Sequence, residues 1–156
     1  MAWSIEINLP ENRDYKGTLK MYANGSLVRT FDCLGRGSEC PDHTEWWNTN
    51  GDTPIGSYDG TLVGPSDEED YGSYGPYRRI SLDPIGGHAL EAEEAGRTGF
   101  MIHGGDPATS GTWKPLRPTH GCIRVSNSDQ QTIAELVSTY GGTGYVGIYG
   151  TQKEQA

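Results

Sequence analysis

Residues 3–31 read WSIEINLPENRDYKGTLKMYANGSLVRTF, and this stretch decides the fold class. Trp3, Ile5, Ile7 and Leu9 alternate with Ser4, Glu6 and Asn8, the period of two expected of a strand buried on one face. Two further runs of strand formers, residues 18–22 and 27–31, flank Ala23-Asn24-Gly25-Ser26. Asn-Gly at that place predicts a hairpin, because both residues tolerate the positive φ that a tight hairpin turn requires. The chain opens as a β-meander.

Outward from there, residues 79–82, 99–102 and 145–149 read as short strands. One helix is predicted late in the chain: Ser128 to Gln131 fits a capping box, Ile133, Leu136, Val137 and Tyr140 follow at helical spacing, and Gly141-Gly142 supplies a stop. Residues 35–60 are polar and rich in turn formers, with Trp46, Trp47 and Thr53-Pro54-Ile55-Gly56 embedded. Residues 64–76 carry the acidic run Asp67–Asp70 and several glycines. They read as a solvated loop, with a flap carrying Tyr71, Tyr74 and Tyr77 as the alternative. There is no internal repeat. Residues 1–150 form one mainly β domain in this reading, and 151–156 a C-terminal tail.

Composition narrows the function classes. The chain has 156 residues, of which 23 are Gly and 9 Pro, and only 33% are hydrophobic. Such a wealth of turn formers disfavours a helical bundle. A net charge of −9 argues against nucleic acid and against a polybasic membrane attachment as partners. Four Trp, nine Tyr and two Phe are too many for a disordered tail. No stretch approaches the roughly twenty apolar residues of a membrane span. The first residues lack the basic and apolar regions of a signal peptide, which points to a non-Sec export route, a trimmed chain or a cytoplasmic home.

The chemistry concentrates in residues 101–127, MIHGGDPATSGTWKPLRPTHGCIRVSN. His103 follows an apolar strand and precedes Gly-Gly, which places it at a strand end facing a cleft. Cys122 lies two residues after His120, on a turn where Gly121 lets the backbone approach a ligand. A thiol needs a neighbouring base or cation to act as a thiolate near neutral pH, and the N–H groups of such a turn can face a developing oxyanion. By residue type alone, this is a Cys–His acyl-transfer site.

His103, fifteen residues, then Thr119-His120-Gly121-Cys122-Ile123-Arg124 resembles the signature of the YkuD-type L,D-transpeptidases, cysteine enzymes that remodel peptidoglycan. The Asn24-Gly25 hairpin, the Thr53–Tyr58 segment and a helix directly after the motif agree in the same order. The resemblance implies a mainly β fold, an L,D-transpeptidase-like sandwich or barrel of short strands with one late helix. It implies Cys122 as nucleophile, His103 as general base and Gly104 as the carbonyl that orients the imidazole. His120 and Gly121 would shape the turn, with the N–H groups of Gly121 and Cys122 as oxyanion hole and Thr119 fixing the turn or His120. Arg124 would hold a substrate carboxylate, and Trp113 is a candidate substrate platform. The implied substrate is a tetrapeptide stem: D-Ala leaves, and an amine, a D-amino acid or water resolves the thioester, without metal or organic cofactor. Such chemistry belongs in the periplasm or cell wall. A chain exported by a specialised machine would act as an interbacterial effector, with secretion machinery and an immunity protein as further partners.

Other readings of the same residues stand beside this one. His103, Asp106, His120 and Cys122 are all legitimate zinc ligand types, which makes a zinc-dependent peptidoglycan hydrolase the runner-up. A non-catalytic wall-binding β module is the third. Asp106 is expected to satisfy a loop amide. Cys33 and Cys40 either pair in a small disulfide loop or stay as thiols, and His43 and His88 read as surface or packing residues.

Overall fold

The computed structural model describes residues 2–37, 52–64, 71–107, 114, 116, 119 and 121–150. The opening meander is present. Strand β1 (Trp3–Asn8) pairs antiparallel with β2 (Gly17–Ala23), and β2 with β3 (Ser26–Cys33). At the turn, Asn24 has φ 51° and Gly25 φ 83°, so both residues take the left-handed backbone that the Asn-Gly pair tolerates. Trp3, Ile5 and Ile7 face inward, with Leu19 and Met21 of β2 beside them.

The remaining strands are β4 (Gly56–Val63), β5 (Arg79–Gly86), β6 (Met101–His103), β7 (Ile123–Arg124) and β8 (Gly144–Tyr149). One eight-stranded sheet runs β3-β2-β1-β8-β4-β5-β6-β7. The last strand therefore lies in the middle, parallel to β1 and antiparallel to β4. A bridge between Leu34, just past β3, and Arg124 of β7 joins the two ends and nearly closes the sheet. Tyr58, Ile80, Ile102, Ile123, Val146 and Ile148 fill the interior. Each such side chain contributes roughly 1.5–3 kcal/mol when fully buried.

Three helices accompany the sheet. The late one, α3 (Asn127–Tyr140), lays Gln130, Ile133, Ala134 and Val137 inward and ends at Gly141, φ 74°. Its cap sits two residues before the predicted box. Ser126 Oγ, not Ser128, accepts the Asp129 N–H at 3.1 Å, and Gln130 turns inward. A second helix, α2 (Gly87–Glu94), is an addition to the sequence reading: Ala89 and Ala92 are buried against β4 and β5, and the Ala89 N–H donates to Ile55 O at 2.9 Å. The third, α1 (Tyr71–Tyr74), is a single turn where the sequence suggested a solvated loop. Cys33 is a free, fully buried thiol in β3, with its pKa raised by desolvation, and its suggested partner Cys40 lies outside the described residues. His88 is half-buried in α2. Cys40, His43, Trp46, Trp47, Asp67–Asp70 and residues 151–156 lie outside the described residues. No described helix is long and apolar enough to cross a membrane.

Candidate active site

Strands β6 and β7 run parallel, with Ile102 opposite Ile123 and His103 opposite Arg124. Cys122 immediately precedes β7. Its thiol donates to Gly99 O at 3.4 Å, at the entrance to β6, so the two motif halves meet on neighbouring strands. His103 is buried, and its Nδ1 lies 2.7 Å from Gly104 O. A carbonyl oxygen can only accept, so Nδ1 carries the proton and Nε2 keeps the lone pair in the neutral ring. That tautomer makes Nε2 the basic atom.

The two glycines after His103 are there for space. A Cβ on Gly104 would strike the side-chain amides of Asn127 and Gln130. One on Gly105, φ 138°, would strike the Arg124 guanidinium. Asn127 Oδ1 accepts the Gly105 N–H at 2.7 Å, which ties this stretch to the first turn of α3. The segment around α1 closes over the same place. Tyr74 meets the His103 ring edge-on at 5.0 Å, Arg79 lies 4.9 Å from the Tyr74 ring, and Gly72 O accepts the Asp106 N–H at 2.7 Å. Gln130 Nε2 donates to Tyr74 O and Tyr77 O, which fixes the segment from below. Asp106, expected to satisfy a loop amide with its side chain, is exposed, and it is its own N–H that donates, to Gly72 O of α1.

Arg124 is buried. It is only 4% exposed, and its Nη1 donates to Ser73 O at 2.9 Å and to Gly104 O. Through Nη1 it shares the Gly104 carbonyl with His103. The reason is topological: β7 lies under α1 and the Gly104-Gly105 bend, whose carbonyls turn inward and need a donor.

The nucleophile turn is held by hydroxyls. Thr119 is buried, and its Oγ1 donates to Cys122 O at 2.8 Å while accepting the Gly121 N–H at 3.0 Å. Thr53 Oγ1 donates to the same Cys122 oxygen at 3.2 Å. Through these bonds Thr119 ties Gly121 to the Cys122 carbonyl. The Gly121 N–H, one of the two expected oxyanion donors, is engaged by that hydroxyl. Trp113 and His120 lie outside the described residues.

Burial pushes the Cys122 thiol up to about 11. A backbone hydrogen bond from Met101 and the guanidinium groups of Arg124, Arg97 and Arg79 oppose the shift without cancelling it. The resting thiol is therefore protonated near neutral pH, in a setting whose buried cations favour an anion once the proton leaves. A cavity of about 270 Å³ opens beside this centre, lined among others by Gly105, Leu116, Arg124, Val125 and Asn127. A larger groove of about 420 Å³, on the outer face of α3 by Tyr77, Arg78 and Glu135, contains none of these groups.

Sequence reasoning named the Cys–His pair but not Arg79, Arg97, Asp52 or the part of Thr53. Thr53-Pro54-Ile55-Gly56 was the signal for Thr53. A buried arginine carries no mark in sequence that separates it from a surface one.

No curated protein matches the chain. Among solved structures, the crystal structure of Mycobacterium tuberculosis L,D-transpeptidase 1 is similar at a TM-score of 0.43 and 13% identity, over 94% of this chain and 62% of that one. Residues 3–152 match the L,D-transpeptidase catalytic domain. The chain belongs to the YkuD family of L,D-transpeptidase catalytic domains.

Proposed function

We propose that the chain is a peptidoglycan-modifying cysteine acyltransferase that acts on tetrapeptide stems. The observation that supports this reading is His103: its Nδ1 donates to Gly104 O, which makes Nε2 the basic atom, on the strand paired with the one that follows Cys122. In the first half-reaction Nε2 takes the thiol proton, and Sγ attacks the carbonyl carbon between the diamino acid and D-Ala. The C–N bond breaks, D-Ala leaves with the proton from His103 on its amine, and a thioester remains. An acceptor amine, a D-amino acid or water then gives up a proton to His103 and displaces the sulfur. The Cys122 N–H serves the oxyanion. The buried arginines stabilise the thiolate as it forms. No step needs a metal or organic cofactor.

The test is mass spectrometry of disaccharide-tetrapeptide incubated with the protein. Loss of one D-Ala per stem is expected, and the product, whether crosslinked dimer, exchanged stem or tripeptide, names the acceptor. Unchanged stems, both free and in intact sacculi, would refute the reading and leave a wall-binding module. The proposed place of action is the cell wall or periplasm. Used as an effector, the same reaction would consume a rival's donor stems. Periplasmic expression behind an added export leader should then lyse cells, and normal growth would discard the effector role.

A further inference from the structure

Behind the Cys122 carbonyl, four stretches of chain meet at Asp52. The side chain is fully buried. Its Oδ1 accepts the Gly37 N–H at 2.7 Å, its backbone carbonyl accepts Arg97 Nη1 at 3.0 Å, and Oδ2 has no hydrogen-bond partner among the described residues. The charged groups that face it are Arg13 and Asp14 from the chain after β1 and Arg36 from the chain after β3. Arg36 Nε is bound to Asp14 Oδ1 at 2.6 Å.

Two short routes lead from this carboxyl to the thiol. The next residue, Thr53, donates its N–H to Gly35 O at 3.0 Å and its hydroxyl to Cys122 O. On the other side, Gly37 bridges to Thr119, and the Thr119 N–H donates to Arg36 O at 3.2 Å. Thr119 is the residue whose hydroxyl also holds Cys122 O. A buried carboxylate with one oxygen unpartnered is a costly way to hold a single N–H, which a neutral acceptor could hold as well. The charge is what a neutral acceptor lacks: it strengthens the bond from Gly37 and attracts Arg13 and Arg36.

We infer that Asp52 is a positioning residue for the Cys122 turn, its carboxylate fixing residues 35–37 and, through Thr53 and Thr119, the carbonyl behind the thiol. Its consequence for catalysis rests on Cys122 being the nucleophile. Desolvation lifts the carboxyl to about 7 against the pull of the Gly37 N–H, Arg13 and Arg36, so its charge changes within the working range. Protonation weakens the hold on Gly37 and Arg36, and the turn loosens as pH falls through neutrality.

The experiment compares the full chain with Asp52→Asn, which keeps the shape and an acceptor oxygen but not the charge. The readouts are iodoacetamide alkylation of Cys122 and kcat and KM for D-Ala release, from pH 5 to 9. At pH 8 the variant is expected to lose between about tenfold and 10²-fold in kcat with KM little changed, the scale of a misplaced reacting group. The gap should close below pH 6, where the native carboxyl is protonated too. Linkage gives a second mark: a carboxyl with a raised folded pKa takes stability away as pH climbs through the window from about 4 to 7, so the variant's Tm should gain on the native Tm across it. Coincident rate profiles, or an equal gap at pH 5.5, would overturn the inference. Should the variant not fold, NMR of the native chain decides: the Gly37 and Thr119 amides should titrate together near pH 7, and silence at Gly37 would overturn it. If Cys122→Ala retained turnover, the nucleophile reading would fail, while alkylation of Cys122 would still judge Asp52.

Discussion

Replacing Cys122 by Ala is expected to abolish D-Ala release, by at least about 10³-fold in kcat, with the fold intact. The size follows from what is removed. Sγ is the atom that forms the thioester in the proposed reaction, and residues that act as one catalytic unit cost about as much singly as together. Little stability should go with it. The thiol is protonated, and its hydrogen bond to Gly99 O is long, at 3.4 Å. The turn is held instead by Thr119 and Thr53 through the Cys122 backbone carbonyl, which alanine keeps. A loss below about 1 kcal/mol corresponds to a Tm shift of no more than about 4 °C for a domain of this size. Mass spectrometry of the stem products and a thermal melt check both halves. Turnover by the alanine variant would place the chemistry elsewhere, and a large fall in Tm would show that the thiol is packing rather than reacting.

His103→Asn should be the second largest effect, on the order of 10²–10⁴-fold in kcat at pH 7, the usual contribution of a positioned base. Asparagine can still donate to Gly104 O, as Nδ1 does at 2.7 Å, so the bend and its bond to Arg124 are expected to survive. What disappears is Nε2. With the thiol at about 11, its anion is a fraction of about 10⁻⁴ at pH 7, and it grows tenfold with each pH unit. The variant's activity should therefore climb tenfold per unit toward pH 10, while the native enzyme, which has its own base, climbs less steeply. Iodoacetamide reports the same difference without substrate. Alkylation of the native thiol that levels off near pH 6 to 7 would show a thiolate already formed at rest, and the general-base role would be wrong.

The parts legible in the sequence are local ones. Asn24-Gly25 announced the first hairpin because the turn itself demands positive φ, and these two residues supply it at little cost. The body of α3 was legible from Ile133 and Val137 at helical spacing, and its stop from Gly141-Gly142. Its start was two residues off. Ser126 and Ser128 are chemically equal caps, and the direction in which the chain leaves β7 chooses between them. The helix α2 carried a signal in Ala89, Leu90, Glu91, Ala92 and Glu93, all good helix formers, but no broad apolar stripe. Only packing of two small alanines against β4 and β5 makes it stand out.

The candidate site divides the same way. His103, Gly104 and Cys122 sit in one motif, so their types and spacing drew attention before any contact was known. Arg124 stood in the same motif, where the resemblance implies a bidentate partner for a substrate carboxylate. Only the fold shows that it is buried, with Nη1 donating to Gly104 O and Ser73 O. Asp52, Thr53, Arg79 and Arg97 come to the thiol from segments far apart in sequence.

By itself, the sequence determined the opening meander with its first turn, the strands β5, β6 and β8 and the late helix, since each depends on neighbours a few residues away, while β4 and β7 went unread. Tertiary structure alone decided that β8 lies between β1 and β4 and that β6 runs parallel to β7. It also decided which polar groups lie buried around Cys122. Pairings between distant segments are bought with loop-closure entropy and settled by the packing of the whole core, and no local preference of the chain encodes that balance.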